Sequence, residues 1–285
     1  MKLFITGISG QLGYDVAREA DKRGYEYLGV SSKDLNITDA DAVREMISAY
    51  APDVVVHCAA YTAVDKAEDD AAACRAVNVD GTRNIAEVCK SLGCKMIYIS
   101  TDYVFDGQGI EPWQPDDKSF APVNVYGQSK LDGELAVAEN VEKFFIVRIA
   151  WVFGLNGKNF IRTMINVGRT HDSVRVVNDQ IGTPTYTKDL ARLLVDMAET
   201  EKYGFYHATN EGGYISWYDF CCEFYRQAGL ATQVIPVTTE EYGLSRAARP
   251  ANSRLDKSKL LKSGFTPLPD WKDAVARYLA EAELV

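Results

Sequence analysis

Tyr126 and Lys130 stand four residues apart in the run Tyr126-Gly127-Gln128-Ser129-Lys130, and residues at that spacing share one face of a helix. A phenol has an ordinary pKa near 10, so it moves a proton at neutral pH only with help, and a nearby ammonium lowers the cost of forming the phenolate. The pair therefore reads as a proton-handling unit, with Tyr126 carrying the proton and Lys130 supplying the field. Upstream lies Ser100-Thr101-Asp102-Tyr103-Val104-Phe105-Asp106-Gly107, where the Thr101 hydroxyl is suited to hydrogen-bond a reacting oxygen. Taken alone, this Tyr–Lys spacing describes many solvated helix faces. It becomes chemistry only beside something that places a reactant.

That second feature is Gly7-Ile8-Ser9-Gly10-Gln11-Leu12-Gly13, which has glycines at every third position and follows the apolar run Leu3–Thr6. Glycines here allow a tight strand-to-helix turn and close backbone approach to a pyrophosphate, which sits at the helix N-terminus among unpaired N–H groups. Gly7, Gly10, Gln11, Leu12 and Gly13 are thus candidates to hold a dinucleotide. An acid closing the second strand would bind a ribose diol, but the sequence there is Gly29-Val30-Ser31-Ser32-Lys33. Hydroxyls and a cation suit a 2′-phosphate, so NADPH is expected and NADH remains possible. Lys33 also fits an ordinary surface loop.

These groups need a scaffold, and the first half of the chain supplies its pattern. Apolar runs of strand length at Leu3–Thr6, Tyr25–Val30, Val54–Cys58, Met96–Ile99 and Phe144–Ile149 alternate with helical periodicity at Leu12–Arg23, Ala40–Tyr50, Ala71–Leu92 and Tyr126–Glu139. That rhythm predicts a Rossmann-like α/β fold, a doubly wound parallel sheet with a smaller C-terminal substrate-binding lobe. Residues 1–150 are expected to form the NAD(P)-binding domain. Residues 151–285 are expected to form a lobe interleaved with it, with helices near Phe160–Arg169, Lys188–Thr200, Trp217–Ala228 and Trp271–Glu283 and short strands at Val174–Val177 and Phe205–Ala208. In the helix begun by Tyr126, the positions Leu131, Leu135 and Ala138 are expected to face the core. No repeat, low-complexity tract or flexible linker separates the two parts.

A net charge of −9 argues against general affinity for nucleic acid, because such binding rests on many Lys and Arg contacts to phosphate. Any anionic ligand must meet a local cluster, and Arg249 and Arg254, which bracket Pro250 and Asn252, are a candidate diphosphate clamp. Asn159 and Gln180 are candidates to bond a base or sugar, although polar loop residues also satisfy backbone groups. Asp39 reads as a helix cap and Glu68-Asp69-Asp70 as a solvated helix start. The six cysteines, Cys58, Cys74, Cys89, Cys94, Cys221 and Cys222, form no CxxC pair, and no histidine stands at metal-ligand spacing. No metal is expected, and His57, His171 and His207 receive no catalytic role. Without a signal-like or membrane-length apolar run, the expectation is a cytoplasmic protein with no membrane partner.

The glycine loop, the Ser/Thr strand end and the Tyr–Lys pair together resemble the extended short-chain dehydrogenase/reductase superfamily. Longer blocks are similar to its dTDP-4-dehydrorhamnose reductase family: Ala59–Glu68, Ser100–Gly107, Asn124–Gly127, Arg148–Val152, Asn178–Thr185 and Arg249–Leu255. The resemblance covers nearly the whole chain. It implies NADPH-dependent reduction of the C4 carbonyl of a dTDP-6-deoxyhexulose, giving the dTDP-L-rhamnose of cell-surface polysaccharides. It also implies that Tyr126 protonates the nascent alkoxide, Thr101 polarises the carbonyl and Lys130 holds the nicotinamide ribose. By the same resemblance Ala59, Ala60 and Tyr61 line the cofactor cleft, Asp34 approaches the adenine with Leu35 also at the cofactor, Thr62, Asp102 and Tyr103 approach the sugar, and Trp151 stacks on the thymine.

Some members of the family dimerise around magnesium held by glutamates. This chain departs from that pattern with Asp15, Lys188-Asp189, Glu281 and Glu283, so monomer and homodimer both stay open. Two other readings stay open as well. A sugar-nucleotide epimerase or dehydratase shares the glycine loop and the Tyr–Lys pair, and a non-catalytic regulatory subunit like that of methionine adenosyltransferase shares the fold.

Overall fold

A computed structural model of the protein describes residues 1–284. The expected alternation is present as β1 (Lys2–Thr6), α1 (Gln11–Lys22), β2 (Glu26–Val30), α2 (Ala40–Tyr50), β3 (Val54–His57), α3 (Val64–Ala67), α4 (Ala71–Arg75), α5 (Thr82–Leu92), β4 (Lys95–Thr101), α6 (Val125–Asn140) and β5 (Phe144–Ile149). There follow β6 (Val152–Phe153), α7 (Phe160–Gly168), β7 (Ser173–Val177), β8 (Ile181–Gly182), β9 (Thr185–Tyr186), α8 (Thr187–Ala198), β10 (Gly204–His207), β11 (Asn210–Glu211) and β12 (Ile215–Ser216). The chain ends with α9 (Trp217–Gln227), β13 (Gln233–Val237), α10 (Thr239–Tyr242), α11 (Ser258–Lys262), β14 (Leu268–Asp270) and α12 (Trp271–Glu281). Asp39 does cap α2, accepting from the Asp41 and Ala42 N–H groups at 3.1 Å each.

Six strands form one parallel sheet in the order β10-β5-β4-β3-β1-β2. Alternate side chains of each strand enter opposite cores, as the two-residue strand period requires. Leu3, Ile5, Val54, Val56, Ile97 and Val147 pack toward α1 and α8, while Phe4, Val55, Met96 and Ile146 pack toward α2, α5 and α6. Strand order reverses between β1 and β3, which opens a crevice beyond their carboxyl ends.

The boundary at residue 150 is crossed repeatedly. β10 completes the main sheet beside β5, and α8 packs along α1. A second core joins α7, α9 and α12 with β7 and β13 through Phe220, Phe224, Trp271 and Tyr278.

Two local expectations need correction. Ala71–Leu92 is not one uniform α-helix, because residues 76–81 form a π-helical turn between α4 and α5. On α6, Leu131 is buried, but Leu135 and Ala138 are exposed. The inward face runs through Gly127, Lys130, Leu131, Glu134 and Val137, a helical stripe that carries two charged residues. A hydrophobic reading of this helix therefore chooses the wrong side.

Asp15, Asp189 and Glu281, three of the acidic positions that departed from the magnesium pattern, are held by cations of the chain itself. Glu281 accepts from Arg18, Lys188 and Tyr186 at 2.8, 2.8 and 2.9 Å, and Asp189 receives the Arg277 guanidinium at 2.7 and 2.8 Å. Burial by itself would raise the Glu281 carboxyl, but the bonds from Lys188, Arg18 and Tyr186 outweigh it and hold the group at about 2. A depressed folded-state pKa gives stability that is present above the unfolded value and is lost as pH falls toward 2. Because the side chain is partly exposed, its share is on the order of 1–2 kcal/mol. Glu281→Gln is therefore expected to lower stability at pH 7 by that amount, with the gap from the wild-type chain closing as denaturation is repeated from pH 5 toward pH 2. Neighbouring Asp15, raised mainly by burial, is raised further by the charge on Glu281, so its titration also moves down in Glu281→Gln.

Candidate active site

Gly7 follows β1 at φ 71°, in the left-handed region that favours glycine. A Cβ on it would lie 2.8 Å from the Ala59 backbone nitrogen, at the end of β3, and a Cβ on Gly13 would lie 2.3 Å from the Gly7 carbonyl oxygen. These two glycines let three backbone segments meet at the switch point. α1 starts at Gln11 with Gly10 as its cap, no side chain bonded to its first N–H groups and no acid in its first turn. Such a helix end presents free donors and a positive dipole to an anion. The donor set fits a pyrophosphate. Gly13→Ala is accordingly expected to weaken NADPH binding more than tenfold in titration calorimetry. A variant that bound normally would remove the loop from the cofactor site.

A cleft of about 860 Å³ opens here. It is lined by the whole glycine loop from Gly7 to Gly13 apart from Ile8, by Ser31, Ser32 and Leu35, by Ala59, Ala60, Tyr61 and Thr62, by Thr101, Asp102 and Tyr103, and by Tyr126, Lys130 and Trp151. Side chains separated by more than 100 residues thus share one wall. A buried relay sets the β3 end. The Thr6 hydroxyl bonds His57 Nδ1 at 2.7 Å and accepts from Ala59 N–H at 3.1 Å, while His57 Nε2 bonds Thr82 Oγ1 at 3.1 Å. Thr82 in turn donates to the Asn78 carbonyl. Because Thr82 spends its hydrogen on Asn78, His57 Nε2 carries a hydrogen, and burial, which pushes the ring pKa down to about 3, keeps it neutral with Nδ1 accepting from Thr6.

Asn78 sits in the π-helical turn and bonds Tyr61 both ways, accepting from its N–H at 2.8 Å and donating to its carbonyl at 3.1 Å. It also donates to Ser129 Oγ at 2.9 Å, and Ser129 donates to the Tyr126 carbonyl at 2.7 Å. Widening the helix by one residue lets a single amide fix the cofactor wall and the start of α6 together. Asn124 caps α6 through the Gly127 N–H at 2.7 Å, and Glu68 accepts from Val125 N–H at 2.9 Å. Glu68 is thus not merely solvated. Asp70 likewise caps α4, and Asp69 pairs with Arg246.

Lys130 is buried, with its ammonium 4.1 Å from the Tyr98 ring centroid. Burial lowers its pKa to about 7, against the opposing pull of Glu134 one turn along. Burial also raises the Tyr126 phenol, and charge on Asp102 and Tyr103 adds to that rise, while the Thr101 hydroxyl opposes it. The Tyr126 ring meets Tyr103 edge to face at 5.7 Å. Thr101 donates to Asp102 Oδ1 at 2.9 Å and accepts from Tyr103 N–H at 3.3 Å. These groups can hold and move a proton at one end of the cleft.

Of the other sequence candidates, Trp151 lines the cleft and Arg249 stands at its edge, while Lys33, Asp34, Asn159, Gln180 and Arg254 lie outside its lining. Lys33 is exposed outside the cleft lining, and Asp34 is engaged by the Ser31 N–H at 2.8 Å and hydroxyl at 2.6 Å, closing the turn after β2. Asn159 caps α7 and donates to Gln11 at 3.1 Å, Gly154 at 2.9 Å and Tyr278 at 3.0 Å. Gln180 donates to Thr239 at 3.0 Å, and Arg254 to Asn252 at 3.0 Å. Arg249 reaches the cleft edge, donating to the Tyr103 hydroxyl at 3.2 Å and to Asp65 at 2.7 Å. Trp151 has φ 51° and stacks on Trp217 at 4.0 Å.

Sequence reading missed Trp217, Asn156, Gly157 and Lys158, which line the cleft, and Asn78 behind it. No spacing or periodicity marks them, because each arrives from a distant segment.

The family described as "RmlD substrate binding domain" matches residues 1–284. The spore coat polysaccharide biosynthesis protein SpsK of Bacillus subtilis is 39% identical, covering 98% of this chain and 97% of its own. A crystal structure of a dTDP-4-dehydrorhamnose reductase from Clostridium acetobutylicum superposes with a TM-score of 0.96 at 40% identity, covering 99% of this chain and 100% of that one. The dTDP-4-dehydrorhamnose reductase of Bacillus anthracis, in complex with NADP, gives a TM-score of 0.94 at 38% identity over 98% and 99% of the two chains.

Proposed function

The chain belongs to the RmlD substrate binding domain family, and from that premise we propose that it uses NADPH to reduce the C4 keto group of dTDP-4-dehydro-L-rhamnose, giving dTDP-L-rhamnose. One observation carries the reading: Thr101, Tyr126 and Lys130 converge on the same cleft as a glycine loop and a helix start that no side chain caps. The reductase of Bacillus anthracis, alike over nearly its whole length, holds NADP.

When bound, NADPH supplies hydride to the carbonyl carbon. The protein's own part is binding and proton control. Gly7, Gly10, Gln11, Leu12 and Gly13 hold the pyrophosphate, and Ser31, Ser32 and Leu35 face the adenosine end, with Lys33 at its border. Ala59, Ala60 and Tyr61 form the wall behind the nicotinamide. Tyr126 gives its phenolic proton to the nascent alkoxide, Thr101 hydrogen-bonds the same oxygen, and Lys130 steadies the ribose and the phenolate. Thr62, Asp102 and Tyr103 meet the sugar, Arg249 the diphosphate and Trp151 the thymine. Asn159 supports the loop through Gln11, while Gln180 and Arg254 stabilise the segments around Trp151.

A regulatory subunit would not need Tyr126, Thr101 and Lys130 gathered on one cleft wall. No helix among the described residues is long and apolar enough to cross a membrane. We place the enzyme in the cytoplasm with its nucleotide-sugar substrate, as a monomer or homodimer that sedimentation can distinguish. The test supplies the 3,5-epimerised dTDP-4-keto sugar with NADPH and NADH in parallel. One NADPH should be oxidised per sugar reduced; product without net oxidation would indicate an epimerase or dehydratase.

A further inference from the structure

Thr101 has one hydroxyl hydrogen, and a hydroxyl cannot donate it to two acceptors at once. That hydrogen is committed to Asp102 Oδ1 at 2.9 Å, while a lone pair of the same oxygen accepts from Tyr103 N–H. In this arrangement Thr101 can neither polarise a substrate carbonyl nor return a proton to Tyr126. Asp102 is itself buried and lines the cleft, and its second oxygen, Oδ2, is buried without a hydrogen-bond partner. A buried carboxylate oxygen without a hydrogen-bond partner is costly, and adding a proton to the carboxyl relieves that cost.

The groups around Asp102 agree. Tyr126 on α6, Tyr103 on the same turn and the Ser253 hydroxyl from the segment after Arg249 face it, and the nearby cation, Arg249, is paired with Asp65. Burial raises the carboxyl to about 6, against the Ser253 and Thr101 hydroxyls.

We infer that Asp102 is the proton reservoir of the site, loading Thr101 and through it restoring Tyr126 after each turnover. The inference rests on the reductase reading. Carbonyl reduction consumes one proton: the Tyr126 O–H bond breaks, the substrate O–H bond forms, and a phenolate remains. With a proton on Asp102 Oδ1, the Asp102–Thr101 bond reverses direction and the Thr101 hydrogen is free to turn toward Tyr126. Thr101 then passes its proton to the phenolate and takes the one from Asp102, and the carboxylate takes up one proton from bulk solvent through the cleft, the proton the reduction consumes. No electrons move in these steps, and transfer from a carboxyl to a phenolate is downhill.

Asp102→Asn keeps the shape and can donate to Thr101 but holds no transferable proton. In stopped flow at saturating sugar it should show a burst of NADPH oxidation amounting to one NADPH per site, whatever the rate of that first turnover. A steady state slower by about 10- to 100-fold should follow. A merely structural role would slow both phases together and leave no burst, and that result, or an unchanged steady state, overturns the inference. A second arm uses no substrate. Infrared spectra of the free wild-type protein should contain a protonated-carboxyl band that titrates near pH 6 and is absent from Asp102→Asn. Its absence overturns the inference even if the variant misfolds. If the wild-type chain oxidises no NADPH with this sugar while the band is present, the reductase reading fails instead.

Discussion

Tyr126→Phe is expected to lower kcat by about 10²- to 10⁴-fold, the usual contribution of a positioned general acid, while the NADPH dissociation constant changes by less than about threefold. The reason is local. The half-buried Tyr126 lines the cleft together with Thr101, and Lys130 lies one turn away on the same face of α6. Removing one oxygen leaves the ring packed against Tyr103 and leaves the Tyr126 carbonyl bonded to Ser129. Transition-state protonation is lost, but the architecture is retained. Parallel measurement of kcat by NADPH absorbance and of cofactor affinity by calorimetry separates the two effects. Retained turnover would remove Tyr126 from the proton path.

Arg148→Met should produce the largest loss of stability, about 3–5 kcal/mol, because it strands a buried carboxylate. Arg148 lies at the end of β5 and is fully buried. Its guanidinium holds both Glu134 oxygens, at 2.8 and 2.7 Å, donates to the Pro115 carbonyl at 3.0 Å, and packs against the rings of Phe105, Phe120 and Phe205. It therefore ties α6, which carries Tyr126 and Lys130, to the sheet and to the loop after Phe105. Denaturant unfolding of Arg148→Met, Glu134→Leu and the double variant checks the cause. If an unpaired charge dominates, the double variant is more stable than Arg148→Met; equal instability would point to lost packing.

These two residues mark the limit of what the chain order reveals. Tyr126 was legible because a catalytic helix places its groups at fixed spacing, so four residues of sequence translate into one helix face. The glycine loop was legible for a similar reason, since a tight strand–helix turn is local and requires particular backbone angles. Arg148 carried no such signal. Its partner lies on a helix read as facing inward through Leu135 and Ala138, whereas the inward face carries Lys130 and Glu134.

The binding candidates divided along the same line. Residues at or just beyond strand ends, such as Ser31, Ala59, Thr101 and Asp102, reach the cleft because a parallel sheet brings all its carboxyl ends to one edge. Polar residues of the later loops obey no period. Asn159 and Gln180 are occupied within the protein, while Trp217 arrives unannounced to stack on Trp151.

The sequence by itself determined the alternating fold, the phosphate loop and the spacing of Tyr126 and Lys130, because each depends on interactions between residues near in the chain. Tertiary structure alone decided that the Thr101 hydrogen points to Asp102, that Asn78 joins the cofactor wall to α6, and that the cations Arg18 and Lys188 hold Glu281. A hydrogen bond is set by distances of about 3 Å, and the folded sheet, not chain order, brings those atoms within reach.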